Sequence, residues 1–105
     1  KSFAELMQES SYSSVTDCKV KVAKNFRIPG HVPICIADRE LLQGRQGHTE
    51  LIIALMSFLN LTPVALGCEM LSDDGNALSP EKAQTWAQKQ GYLFLEGRQI
   101  VEACQ

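Results

Sequence analysis

Six consecutive residues near the middle of the chain, residues 45–50, combine an arginine, a glycine, a histidine, a threonine and a glutamate. They stand directly before the apolar run at residues 51–59, so the pattern predicts that this hexad opens a helix. A helix start suits an anion, because its first N–H groups are unpaired and its dipole is positive there. Arg45 and Thr49 are suited to grip a phosphate, and His48 to bind a metal ion or move a proton.

Two residues outside the hexad are further candidates for chemistry. Glu69 ends the apolar segment at residues 63–70, where open α/β sheets place their ligands, and a half-buried carboxylate there needs a partner or a shifted pKa. His31 follows a Pro-Gly pair and is read either as a turn residue or as a catalyst. The alternative for the hexad is a capped helix with a solvated arginine. The alternative for Glu69 is a residue at a strand end that lies in solvent. Asp73 and Asp74 lack calcium-loop spacing and predict a turn.

Composition limits the classes of protein to which the chain belongs. Its 105 residues correspond to one domain, and a net charge of −2 with no basic stripe argues against a nucleic-acid partner. No apolar run reaches the length needed to cross a membrane. The four cysteines contain no C-x-x-C pair, so a structural zinc site is not predicted. Cys35 and Cys68 lie in apolar runs and are predicted to be buried free thiols in a reducing, cytoplasmic setting.

The helices and strands predicted along the sequence indicate an α/β (α+β) fold, in which a mixed sheet is flanked by helices. These elements must position the candidate residues. Helices are predicted at residues 3–8 and 48–59, from Pro80 to Gly91 with Ser79 as N-cap, and from Gly97 or Arg98 to Cys104. Strands are predicted at residues 18–23, 32–37, 41–42, 63–70 and 92–95, and a polar turn at residues 72–77. Residues 9–17, rich in Ser and Thr, are predicted to form a flexible loop.

The separate motifs, in this order and at this spacing, resemble one enzyme family. The matching segments are Arg27-x-Pro29-Gly30-His31-Val32, Arg45-x-Gly47-His48-Thr49-Glu50, Cys68-Glu69-Met70 and Asp73-Asp74-Gly75. They resemble the 3,4-dihydroxy-2-butanone 4-phosphate synthases, which convert ribulose 5-phosphate into L-3,4-dihydroxy-2-butanone 4-phosphate and formate for riboflavin biosynthesis. The turn at residues 73–79 is similar to the archaeal form. The resemblance runs from about residue 26 to the end and extends more loosely to residue 1.

The resemblance implies a role for each matching residue in a metal-dependent lyase. Substrate would be held by Arg45, Gln46, Gly47, His48, Thr49 and Glu69, with Arg45 and Thr49 on the phosphate. His48 would also bind the catalytic Mg²⁺, and Mn²⁺ should be accepted as well. Glu69 would be catalytic, with an acid/base role in enediol formation. His31 would be catalytic too, acting across the subunit boundary of a homodimer.

Members of that family carry an N-terminal half with further acidic and metal-binding residues, and nothing in this chain matches it. The chain is therefore expected to be a single domain over residues 1–105 or the C-terminal portion of one larger domain, inactive without its N-terminal half. Its expected partners are a small-molecule sugar phosphate, that N-terminal half and a second subunit. The alternative is a non-catalytic half-domain that binds a sugar phosphate or only another protein.

Overall fold

The computed structural model describes residues 3–8 and 14–104, and its regular elements are helical. Five α-helices and one 3₁₀ turn follow in chain order: α1 Phe3–Gln8, α2 Val15–Asn25, the 3₁₀ turn Leu41–Gln43, α3 His48–Phe58, α4 Pro80–Gln90 and α5 Gly97–Cys104. The predictions of a helix at the start, of the helix opened by the hexad, of the Pro80 helix and of the closing helix are confirmed.

Helix α4 shows how local sequence signals set both ends of a helix. The Ser79 hydroxyl accepts a hydrogen bond from the Lys82 N–H at 3.4 Å, and Pro80 occupies the first helical position, where it has no N–H to lose. Gly91 ends the helix with φ 73°, a left-handed conformation that favours glycine. Trp86 then stacks on Tyr92, with ring centroids 5.6 Å apart.

The predicted edge strand at residues 18–23 is wrong, because this segment lies in helix α2. Ser14 caps the helix, with its hydroxyl oxygen accepting the Asp17 N–H at 3.2 Å. A serine followed three residues later by an acid is a helix-start signal, and it outweighs a weak alternation of lysine and valine. Helix α2 thus begins inside the predicted loop of residues 9–17; residues 9–13 lie outside the described residues.

The predicted mixed sheet flanked by helices is also wrong for the part of the chain that the structure describes. There the single β pairing is an isolated antiparallel bridge between Leu71 and Ala77. Residues 32–37, 64–70 and 92–95 have no regular secondary structure, and residues 41–42 belong to the 3₁₀ turn. A strand is stabilised by a neighbour about 4.8 Å away, and the described residues bring no such neighbour to these apolar runs.

The apolar runs therefore stay on the surface instead of forming a sheet core. Leu93 is 94% exposed, and Ile36 and Leu66 are nearly as open. Cys35 and Cys68, predicted to be buried, are exposed, and all four cysteines are free thiols. None of the helices within the described ranges is long and apolar enough to cross a membrane.

Helix α3 makes most of the contacts between elements in the described residues. It lies against α5 and against the 3₁₀ turn, while α1 contacts α2. At the α3–α5 contact, Gly97 lies so close to Leu51 that an added Cβ would come within 3.1 Å of Leu51 Cδ1. The radius of gyration is 16.4 Å, against about 13 Å for a compact domain of this length. The chain is thus more extended than an ordinary independent domain, and its hexad lies on its best-packed helix.

Candidate functional site

The hexad forms the N-terminus of α3, as predicted. Gly47 is the N-cap, with extended backbone angles of φ −83° and ψ 170°, and its carbonyl accepts the Leu51 N–H at 2.9 Å. The 3₁₀ turn precedes the hexad. The Gly44 and Arg45 N–H groups, which follow the turn, both donate to the Leu41 carbonyl. This tight turn brings Arg45 to the start of the helix. No side chain caps α3 by a hydrogen bond.

Glu50 is the buried polar residue of this site, with 1% of its surface exposed. Its Oε1 atom accepts a hydrogen bond from the Asp38 N–H at 3.0 Å. Its Oε2 atom lies 3.8 Å from Arg45 Nε, and it accepts no hydrogen bond from the described residues. One buried carboxylate therefore contacts both the turn that precedes the hexad and the arginine that begins it.

The surroundings of Glu50 favour its charged form. The Asp38 N–H that donates to the carboxylate is the main cause that holds the pKa of Glu50 below its ordinary value of 4.5. Burial acts in the opposite direction, and the Arg45 guanidinium adds a further lowering. The carboxylate is thus poised to remain negative beside Arg45.

Gly47 is required at the N-cap by the space that the Glu50–Arg45 pair occupies. A Cβ added there would lie 2.7 Å from Glu50 Oε2 and 3.1 Å from Arg45 Nε. Real Cβ atoms do not come as close as 2.7 Å, so a larger residue at position 47 must displace the Glu50 carboxylate and crowd the Arg45 guanidinium. The glycine is explained by this close approach, since its backbone angles are open to any residue.

We expect Gly47→Ala to lower the free energy of unfolding by about 1–3 kcal/mol, the usual range for overpacking a tight site. Gly67→Ala is the matched control, because an added Cβ at Gly67 meets nothing within 4 Å. Denaturant titration of both variants beside the wild type measures the difference. Equal stability of the two variants would contradict the steric account of Gly47.

The other hexad side chains lie on the outside of the helix start. Arg45 is 73% exposed in its side chain, His48 is exposed on the first turn, and Thr49 is partly exposed. The Gln46 side-chain amide donates to the Leu42 carbonyl at 3.5 Å. The site is thus an open surface at a helix N-terminus, with a guanidinium, an imidazole and a hydroxyl accessible to a ligand.

Glu69 and His31, the two predicted catalytic residues, are exposed in non-helical segments. Neither side chain makes a hydrogen bond or ion pair with another described residue, so the structure assembles the hexad but does not join these two residues to it. Among residues 3–8 and 14–104 there is also no group of three or more His, Cys, Asp or Glu side chains placed to hold a metal ion. His48 alone is available as a metal ligand at the hexad.

The turn predicted at residues 72–77 is present, and it is held by its own side chains. Asp74 accepts hydrogen bonds from the Ser72 hydroxyl and, at 2.9 Å, from the Asn76 side-chain amide. These bonds, led by that of Ser72, lower the pKa of Asp74 from 3.8 to about 2. The Asp74 carboxylate therefore stabilises the turn through these hydrogen bonds.

Glu50 is the residue that the sequence-based site prediction left out. The sequence predicts its place in the hexad but no role for it. A signal was present, since a glutamate at the third helical position is the place of the capping box, where the side chain turns back toward the helix start. Its burial against Asp38 and Arg45 depends on a turn that the sequence did not predict.

The sequence comparisons agree with the motifs. The sequence model of the 3,4-dihydroxy-2-butanone 4-phosphate synthase family matches residues 6–103. The chain belongs to this family.

Individual relatives include named synthases and a further protein of riboflavin biosynthesis. The 3,4-dihydroxy-2-butanone 4-phosphate synthase of Methanosarcina mazei is 45% identical over 96 residues, which cover 90% of this chain and 39% of the relative. The synthase of Archaeoglobus fulgidus is 42% identical over 85 residues, which cover 80% of this chain and 36% of the relative. The riboflavin biosynthesis protein RibBA of Staphylococcus aureus is 34% identical over 81 residues, which cover 76% of this chain and 20% of the relative. The prediction of an archaeal-like member is confirmed, and the chain spans well under half the length of these relatives.

Proposed function

We propose that the protein acts as a 3,4-dihydroxy-2-butanone 4-phosphate synthase in riboflavin biosynthesis, releasing formate from ribulose 5-phosphate. The observation that carries this proposal is the hexad at the start of α3 in a chain of this family. Named relatives that match 74–90% of the chain are called synthases, so the non-catalytic alternative is not favoured.

In this proposal the start of α3 binds the phosphate of the substrate. The exposed Arg45 guanidinium supplies a charge-assisted, planar contact, and Thr49 supplies a hydroxyl. The open N-terminus of α3 adds its backbone N–H groups and positive dipole potential. Gly47 keeps the approach to the helix start clear, and Gln46 and His48 line it on either side of the glycine.

The proton transfers are assigned to Glu69, with His31 as the second catalytic residue. Converting a ketose phosphate into an enediol requires a base near the carbon that loses its proton, and an accessible carboxylate is suited to that task. The hexad, Glu69 and His31 would have to be brought together by further protein. The proposed partners are an N-terminal half of the same enzyme and a second subunit, which would also cover the exposed apolar runs.

The predicted Mg²⁺ or Mn²⁺ ion stays a prediction. His48 offers one exposed imidazole, but the described residues bring together no group of three or more His, Cys, Asp or Glu side chains that could hold an ion. The ligand set in this part of the chain does not fit a complete metal site, so no step of the reaction is derived through the ion. The compartment likewise stays a prediction.

The function is tested by incubating the full protein with ribulose 5-phosphate and Mg²⁺ and measuring formate. Formate and a four-carbon phosphate are expected in equal amounts. Ribose 5-phosphate is the matched control, because its carbonyl is at C1 and acidifies C2, whereas the C2 ketone of ribulose 5-phosphate acidifies C1 and C3, and it should yield no formate. Binding of ribulose 5-phosphate without formate release would contradict the enzyme assignment and support the non-catalytic alternative.

A further inference from the structure

Three separate parts of the chain meet at the buried Glu50 carboxylate. Oε1 accepts the Asp38 N–H at 3.0 Å, Oε2 lies 3.8 Å from Arg45 Nε, and a Cβ added at Gly47 would come within 2.7 Å of Oε2. Glu50 itself is on the first turn of α3. Its carboxylate is thus the point at which the preceding turn, the arginine and the helix are fixed relative to one another.

The turn held by Glu50 is an unusual one. Leu41 has φ 48°, a left-handed conformation that L-residues rarely adopt. Such a residue persists where the surrounding contacts determine its conformation. The Asp38 side chain supplies some of them, since it accepts the Glu40 N–H at 2.8 Å and packs against Gly44. The bond from the Asp38 N–H to Glu50 ties this turn to α3.

The position of Arg45 follows from these contacts. Its Nε edge faces the buried carboxylate, and its terminal nitrogens make no hydrogen bond with the described residues. The two terminal NH₂ groups remain accessible to a ligand while Nε faces the carboxylate at 3.8 Å. A guanidinium held in this way loses less conformational freedom on binding than one that is free in solvent.

We propose that Glu50 is a positioning residue, which holds Arg45 and the Asp38 turn in place at the start of α3. Its role in substrate affinity rests on the proposed phosphate site. Glu50 does not touch the substrate in this arrangement. It acts through Arg45, so its removal should matter only while Arg45 is present.

Glu50→Gln tests this role in the full protein, because the amide keeps an oxygen for the Asp38 N–H and loses the charge facing Arg45. We expect the Arg45 Nε–Hε resonance to shift in the ¹H–¹⁵N spectrum, and the KM for ribulose 5-phosphate to rise about threefold to tenfold with kcat within twofold. In an Arg45→Ala background the same change should add no more than about twofold. Glu102→Gln, an exposed carboxylate change on α5, is the control.

An unmoved Arg45 resonance, or an equal rise in KM with and without Arg45, would overturn the proposal. If Glu50→Gln does not fold, Glu50→Asp replaces it, because it withdraws the carboxylate by one methylene while keeping its charge. A smaller shift in the same direction is then expected, and no shift would overturn the proposal. The resonance decides the positioning role even if ribulose 5-phosphate proves not to be a substrate, so the two proposals fail separately.

Discussion

Replacing Glu69 by glutamine is expected to lower kcat for formate release by about 10²- to 10⁴-fold, the usual contribution of a general acid or base. The change removes the titrating carboxylate while keeping the shape of the side chain. The melting temperature should stay at the wild-type value, since Glu69 is exposed and its side chain bonds no described residue. Formate release under saturating ribulose 5-phosphate, measured in the full protein, gives the result.

Glu102→Gln is the control for this experiment, because it removes an exposed carboxylate from α5, outside the proposed site. It should retain wild-type turnover. Wild-type turnover by Glu69→Gln would remove Glu69 from the reaction. A loss of activity accompanied by an equal loss of stability would show a structural role for Glu69 and also contradict the assignment.

Arg45→Ala is expected to weaken the binding of ribulose 5-phosphate by about 1.5–3 kcal/mol, the range for a hydrogen bond to a charged group. This corresponds to an increase in Kd of about 10- to 150-fold. The physical reason is the loss of the one arginine at the start of α3, where its terminal nitrogens are accessible. Isothermal titration calorimetry with an inactive Glu69→Gln background measures binding without turnover.

Arg98→Ala is a close control for Arg45→Ala. Arg98 is also an exposed arginine paired with a glutamate, with its Nε 2.7 Å from Glu96 Oε2, but it lies on α5 outside the hexad. Its replacement should leave the Kd unchanged. Ribulose without its phosphate provides the second comparison, since its weak binding should be equal for wild type and Arg45→Ala. A Kd for ribulose 5-phosphate unaffected by Arg45→Ala would rule out the phosphate contact.

Local signals predicted the helices that carry their own start and stop residues. Ser79, Pro80 and Gly91 mark both ends of α4 by capping and backbone conformation alone, and the structure places all three as predicted. The hexad likewise predicted the start of α3, because it stands directly before a long apolar run. These features depend on atoms within a few residues of one another, so one sequence is enough to read them.

The prediction of a sheet was wrong because a strand depends on partners that are distant in sequence. An apolar run such as residues 63–70 shows that the segment avoids water, but it does not show what covers it. The edge strand at residues 18–23 failed for a different reason, because Ser14 and Asp17 start a helix there. Glu50 was missed because its burial depends on the Asp38 turn, which is set by a left-handed Leu41.

The contact of Gly47 with the Glu50–Arg45 pair limits how this segment can diverge. A side chain at position 47 would need space that the Glu50 carboxylate and the Arg45 guanidinium now occupy, and moving the carboxylate would weaken its contacts with Arg45 and the Asp38 N–H. A change at position 47 therefore acts on the contacts of Glu50 and Arg45 as well. We therefore expect a larger residue at position 47 to be tolerated best when position 50 carries a shorter side chain.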